Sequence, residues 1–208
     1  MALALTGFSV VAGGLLGWVN DVTAEPIAQA NAKTLSDAIA VVVPGFDNNP
    51  AEAPETVEVN GATYKIYKAT KNGQPIGAAV ESAANGFGGA LTVLVGFDNE
   101  GKIIDYSLLS HAETPGLGSK AADWFKKGAK GDITGKNPGE APLMVSKDGG
   151  EIDAITASTI TSRAFLLAVN NAYAAYKNQY VDGASGATQQ EKPAEEAVSD
   201  TTNVEPIK

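Results

Sequence analysis

From Met1 to Val19 the chain carries no charged residue, Asn20 and Asp21 follow, and the first basic side chain is Lys33. A helix of that length, rising ~1.5 Å per residue, reaches about 28 Å, close to the ~30 Å hydrocarbon core of a bilayer. Ser9, Gly13 and Gly17 recur every four residues and would set small side chains on one face, as closely packed membrane helices require. Trp18 stands where an interfacial aromatic belongs. A retained transmembrane anchor over residues 1–20 is therefore expected. A cleaved signal peptide is the rival, with Val22-Thr23-Ala24 as a small-residue cleavage site, but the basic n-region is absent and the apolar run is long for an h-region. A buried core helix is the third reading. The missing basic flank prevents the positive-inside rule from orienting the helix.

Behind that run, 208 residues suffice for one domain with accessories. Lys+Arg 15 against Asp+Glu 24 gives a net charge of −9, and nucleic acid is not an expected partner, because binding it takes a basic face that displaces phosphate counterions. Zero cysteines exclude disulfides, thiolate metal sites and a cysteine nucleophile. His111 is the only histidine, so an imidazole metal cluster or a Ser-His triad has little to build on, and no metal site is expected.

Thr23 is placed to cap a second helix, an amphipathic connector over 21–44, with Glu25 and Pro26 in its first turn and Pro44 after its end. Residues 45–54 read as a loop. From Val57 the hydrophobic period becomes two, and short strands alternate with the turns Asn60-Gly61, Asn72-Gly73 and Asp98-Asn99-Glu100-Gly101. Strands joined by such turns pair antiparallel, since parallel pairs need longer crossovers. Residues 118–128 and 162–178 read as helices and 151–155 as a short strand, so the expected class is α+β, a mainly antiparallel sheet with flanking helices on one N-terminal transmembrane helix. The folded domain spans 45–180 in this reading. Residues 181–208, net acidic and poor in large apolar groups, read as a disordered acidic tail.

Two clusters carry candidate chemistry. Ser110 to Lys120 joins a strand to a helix through His111, Glu113, Thr114, Gly116, Leu117 and Gly118. Its glycines permit close backbone approach and the helix start favours an anionic ligand, although an ordinary strand-to-helix turn explains it equally well. The second cluster runs from Asp153 to Ser162, with hydroxyls at Thr156, Ser158, Thr159, Thr161 and Ser162 and with Arg163 beside them. A hydroxyl run at a helix N-terminus suits a phosphate, while simple capping is the reading that composition alone favours. Arg163 and Lys120 are either phosphate partners or solvated charges, and His111 either a ligand group or a local turn partner.

Asp153-x-x-Thr156-Ala157-Ser158-Thr159-Ile160-Thr161 resembles the flavinylation motif of the FMN-binding domain family, Asp-x-x-(Ser/Thr)-Gly-Ala-Thr-x-(Ser/Thr). His111-Ala112-Glu113-Thr114-Pro115-Gly116-Leu117-Gly118 resembles the Glu-Thr-Pro-Gly-Leu-Gly loop that lies beside the flavin in that family. The chain over about 1–180 is most similar to its branch of G subunits from Rnf electron-transport complexes. The resemblance implies one FMN per chain, esterified through its phosphate to Thr161, with Asp153, Thr156, Ser158, Thr159 and Ser162 as recognition elements. It places Glu113, Thr114, Gly116 and Leu117 along the ring or its side chain, with His111 as a further candidate. Ala157-Ser158 stands where the family has Gly-Ala. A second near-match, Asp182 to Gln190, ends in an amide that cannot form a phosphoester and leaves Thr188 as a minor alternative site.

A threonine hydroxyl is a weak nucleophile without a base, and no histidine lies near Thr161 in sequence. The resemblance accordingly implies an FAD-dependent flavin transferase requiring Mg²⁺ as maturation partner, the other Rnf subunits as membrane partners, and the flavin domain on the periplasmic or outer face of the inner membrane. The implied function is electron transfer within an ion-translocating ferredoxin:NAD⁺ oxidoreductase, as one component and not a complete enzyme. The C subunit of a sodium-translocating NADH:quinone reductase and an unflavinylated membrane scaffold are the alternatives. A secreted hydrolase finds no constellation of side chains to support it.

Overall fold

The computed structural model describes residues 2–177, without the side chains of residues 2–5, 7, 8, 10, 11, 27 and 28. Helix α1 (Ala2–Val42) leads through a short 3-10 turn (Pro50–Glu52) into five strands, β1 (Glu55–Val59), β2 (Ala62–Lys71), β3 (Gln74–Asn85), β4 (Ala90–Phe97) and β5 (Ile103–His111). A 3-10 turn (Gly118–Lys120), a one-turn helix α2 (Ala121–Trp124), a further 3-10 turn (Ser146–Asp148) and the long helix α3 (Thr159–Lys177) complete the order. The sheet is a β1-β2-β3-β4-β5 meander, antiparallel at every pairing.

Turn chemistry dictates that order. Asn60 and Gly61 have φ of 55° and 74°, and Asn72 and Gly73 have 51° and 74°. Positive φ at both central positions is the type I′ geometry whose twist matches the flanking strands, so β1, β2 and β3 fold back in immediate hairpins. The Asp98 carboxylate then accepts the N–H groups of Glu100 and Lys102, each at 2.9 Å, and shapes the β4–β5 turn.

The sheet is covered on both faces. On one, Tyr64, Ile66, Ala78, Val80, Val93 and Val95 pack under Phe165, Leu166, Val169 and Ala172 of α3. On the other, Tyr67, Ala69, Ala79 and Leu94 meet Ala38, Ile39, Val42 and Val43 at the end of α1. Central strands buried on both sides are apolar throughout instead of alternating, which is why Leu91 to Val95 reads as a nearly continuous run. A Cβ on Gly96 would overlap the Val42 carbonyl and lie 2.9 Å from the Val42 Cβ, so glycine lets α1 touch the β4 backbone there.

Several local expectations are revised. Thr23 caps nothing: α1 is unbroken from Ala2 to Val42, and the Thr23 hydroxyl donates back to the Val19 carbonyl at 2.8 Å. The helix expected over 118–128 shrinks to a 3-10 turn and the four residues of α2, because Lys126, Gly128 and Ala129 enter a tight turn held by Asp132, which accepts the Gly128 N–H at 2.6 Å. Residues 151–155 form no strand, only a parallel bridge between Ile152 and Val145. The final helix begins at Thr159, three residues earlier than its apolar spacing implies. Among the described residues no helix is long and apolar enough to cross a membrane. The expected tail at 181–208, with Thr188, lies outside the described residues.

Candidate functional site

The site is built where β5 ends and α3 begins. At the end of β5 the His111 Nδ1 accepts the Glu113 N–H at 3.3 Å. That bond turns the chain so that Glu113 goes inward, only 5% exposed, while Thr114, Pro115 and Gly116 stay at the surface. The loop closes on itself through Leu117 N–H to the Thr114 carbonyl at 3.2 Å and Gly116 N–H to the Ser119 hydroxyl at 2.9 Å.

On the α3 side, Ser162 acts as a staple. Its hydroxyl accepts the Ile155 N–H at 2.9 Å and donates to the Ser158 carbonyl at 3.0 Å. The segment between them turns through Ala157 at φ 62°, a left-handed conformation that costs a residue with a Cβ roughly 1 kcal/mol. Ala157→Gly is therefore expected to raise stability by about 0.5–1 kcal/mol, since relief of the strain outweighs the added freedom of the unfolded chain. A urea unfolding midpoint that falls instead of rising would refute that account.

The two segments meet at one hydrogen bond. The Thr161 hydroxyl, 1% exposed, donates to Glu113 Oε2 at 2.8 Å, across 48 residues of sequence. Glu113 Oε1 faces the Gly88 N–H at 3.4 Å, and no ion pair among the described residues includes Glu113. A buried carboxyl group without a cation depends on its hydrogen bonds for satisfaction. Two glycines make room for it. A Cβ on Gly118 would overlap Glu113 Oε2 and stand 2.8 Å from the Thr161 hydroxyl oxygen, and one on Gly86 would overlap Glu113 Oε1.

Above this pair opens a cavity of about 430 Å³. Glu113, Thr114, Leu117, Ser158, Thr159 and Thr161 line it, six of the residues singled out in sequence, together with Gly118 and Ala157. Phe87 and Ile160 complete the wall; Phe87 lies outside both sequence motifs, and Ile160 occupies an unspecified position of the one that starts at Asp153. The signal for Phe87 is a large aromatic isolated among glycines in the β3–β4 loop. It is 71% exposed, and Leu117 and Ile160 are 41% and 46% exposed, so the mouth offers three apolar side chains to an incoming group.

The other singled-out residues lie off the cavity wall. Gly116 is in the outer turn of the loop, and His111 is a local turn partner. Asp153 is exposed, with its carbonyl accepting the Trp124 indole N–H at 2.8 Å, and Thr156 is exposed beyond it. Arg163 does not reach toward the cavity: it holds Asp148 through two bonds of 2.7 and 2.5 Å. That hydrogen-bonded guanidinium keeps the Asp148 carboxyl below its ordinary value. Lys120 is exposed and makes no ion pair among the described residues. Lys147, not expected from sequence, puts its Nζ 3.2 Å from the Thr159 hydroxyl at the cavity edge.

Residues 86–174 match the FMN-binding domain. The chain is 36% identical over 181 residues to the G subunit of the ion-translocating oxidoreductase complex of Yersinia pestis, covering 82% of this chain and 86% of that protein. The protein of that name from Cereibacter sphaeroides is 36% identical over 169 residues, covering 78% of this chain and 76% of the relative. The one from Vibrio cholerae is 35% identical over 189 residues, covering 86% and 89%. Among solved structures, the C subunit of the Na(+)-translocating NADH-quinone reductase from Parabacteroides distasonis aligns with a TM-score of 0.49 at 18% identity, over 77% of this chain and 94% of that one. Identity at the level of the first three, sustained over most of each relative and spanning the segments that build the cavity, makes this chain a member of the family of G subunits of ion-translocating oxidoreductase complexes.

Proposed function

We propose that this chain carries one FMN, esterified through its phosphate to Thr161, and relays electrons inside a membrane-bound ion-translocating oxidoreductase complex of the Rnf type. The observation that carries the reading is the Thr161 hydroxyl on the wall of the cavity, at the first turn of α3 and hydrogen-bonded to Glu113.

The residues fit such a group. A volume of about 430 Å³ lies within the ~300–1,000 Å³ of small-molecule sites. Phe87, Leu117 and Ile160 supply an apolar wall for a flat ring and shield one side of it from water. The first N–H groups of α3 have no intrahelical partner and carry the positive end of the helix dipole, which favours a phosphate at Thr161. Lys147 at Thr159 adds a positive charge at the same end. When bound, the isoalloxazine accepts and releases electrons one or two at a time, chemistry that belongs to the cofactor.

The first half of α1 supports the membrane part of the reading. Leu15, Leu16, Trp18 and Val22 are 61%, 71%, 64% and 56% exposed, and the sequence before Asn20 is uncharged. Apolar side chains so displayed on a helix that docks only by its C-terminal end suit a lipid environment. The flavin domain then faces the periplasm or outer side, where no free FMN pool replaces a lost cofactor and a covalent link is of use.

The test is intact mass after denaturation of the full chain co-expressed with an FAD-dependent flavin transferase. A gain of one esterified FMN is expected. An unmodified chain, with the same transferase active on a control substrate, overturns the reading in favour of an unflavinylated scaffold.

A further inference from the structure

We propose that Glu113 is the general base for flavinylation, taking the proton of the Thr161 hydroxyl as its oxygen attacks phosphorus. The proposal rests on the reading of Thr161 as the attachment site and adds the group that makes this hydroxyl a nucleophile. The sequence around Thr161 holds no histidine. The fold supplies a base from 48 residues away, with Glu113 Oε2 2.8 Å from Thr161 Oγ1, inside the hydrogen-bond reach that proton abstraction requires.

Three observations distinguish this carboxylate from an ordinary buried acid. It is 5% exposed and the hydroxyl it holds is 1% exposed. No cation pairs with it among the described residues. Its position depends on side-chain-free residues on both flanks, because a Cβ at Gly86 or at Gly118 would overlap one or the other carboxylate oxygen. The backbone is thus arranged around an acceptor that takes the Thr161 hydroxyl on Oε2 and faces the Gly88 N–H with Oε1.

The step balances without any redox change. With FAD as donor, the bond between Thr161 Oγ1 and the flavin-side phosphorus forms while that phosphorus releases its bridging oxygen, and AMP departs. The hydroxyl proton moves to Glu113 Oε2 and from there to solvent or to the departing phosphate. Once the ester exists, Thr161 has no proton to donate, and a phosphodiester stands beside the acid. The 2.8 Å bond that closes the 113–118 loop over α3 is then gone, so esterification also loosens that loop.

Glu113→Gln separates proton acceptance from simple hydrogen bonding. Glutamine keeps the size of the acid, and its carbonyl can still accept the Thr161 hydroxyl, but it takes no proton. Purified full-length chain, FAD, Mg²⁺ and a flavin transferase are mixed, and adduct formation is followed by intact mass. The Glu113→Gln rate is expected to fall at least ~100-fold, the usual range for loss of a general base, with the loss in kcat and not in the KM for the chain. The glutamine NH2 then faces the Gly88 N–H in place of Oε1, so the unliganded melting temperature falls somewhat, and rates are compared at a temperature where both chains are folded. Glu113→Asp, which keeps a carboxylate on a shorter arm, is expected to react faster than Glu113→Gln. Equal rates for the unaltered chain and Glu113→Gln overturn the assignment while leaving the FMN reading standing, and so does a Glu113→Gln variant as fast as Glu113→Asp. An unaltered chain that takes no adduct, with transferase active on a control, overturns the FMN reading and this assignment together.

Discussion

Thr161→Ala, co-expressed with an active flavin transferase, is expected to show no flavin adduct at all, whereas Thr161→Ser retains it. The alanine removes the only atom that could bond phosphorus at this position, so the loss is all or none. Serine keeps the oxygen in the same first turn of α3. The alanine variant has a structural cost as well, because Glu113 Oε2 loses its 2.8 Å donor inside the protein. An acid stripped of its partner in a buried place costs about 1–3 kcal/mol, so the variant folds with a lowered unfolding midpoint. Thr188→Ala is the companion control. It is expected to carry the adduct undiminished, since the Asp182 to Gln190 segment ends in an amide. An adduct that survives in Thr161→Ala and vanishes in Thr188→Ala would move the attachment site out of the cavity.

Much of the sheet is legible in sequence because its information is local. Asn60-Gly61 and Asn72-Gly73 name their own turn type, and a meander follows from adjacent hairpins without any knowledge of distant contacts. The start of α3 is not legible in that way. Thr156 to Thr161 is rich in β-prone residues, and what makes residues 159–161 helical is Ser162 reaching back to the Ile155 N–H and the Ser158 carbonyl. The helix 118–128 fails for a related reason. Ala121, Trp124 and Phe125 do share an apolar face, but Phe125 already bonds away from the helix, its N–H on the Tyr106 hydroxyl at 3.2 Å.

The site divides along the same line. Both motifs are visible as residue strings, yet the pairing of Glu113 with Thr161 depends on the whole of α2 and the loop up to Ser158 bringing α3 beneath the end of β5. Nothing in the spacing of either motif encodes it. Arg163 illustrates the reverse error: adjacency to the hydroxyl run makes it a natural phosphate partner, but it stands two residues after Thr161, a turn of about 200° around the helix, and it meets Asp148 instead. Phe87 joins the cavity wall, and Lys147 reaches Thr159 at its edge, through loops whose paths no periodicity describes.

Phe165→Ala tests whether the core beneath α3 is what holds Thr161 in place. Phe165 is fully buried one turn after Thr161, stacked on Phe125 with ring centroids 4.3 Å apart and 6° between planes, and edge-on to Tyr106 at 4.7 Å. Tyr106 is itself tied down, its hydroxyl donating to the Ala121 carbonyl at 2.7 Å, with burial pushing the phenol well above its ordinary value. Three rings locked this way leave little room for collapse around a deleted side chain, so the cavity term adds fully to the transfer term. The expected loss is about 4 kcal/mol, which for a domain of this size lowers the melting temperature by roughly 8–16 °C. Because Tyr106 of β5 and Phe125 just after α2 both pack on this ring of α3, the Glu113–Thr161 bond loosens with it, and flavinylation is expected to slow even at temperatures where the variant is folded. A variant that loses the stability but is flavinylated at the original rate would show that the 113–118 loop and Ser162 position Thr161 without help from the core.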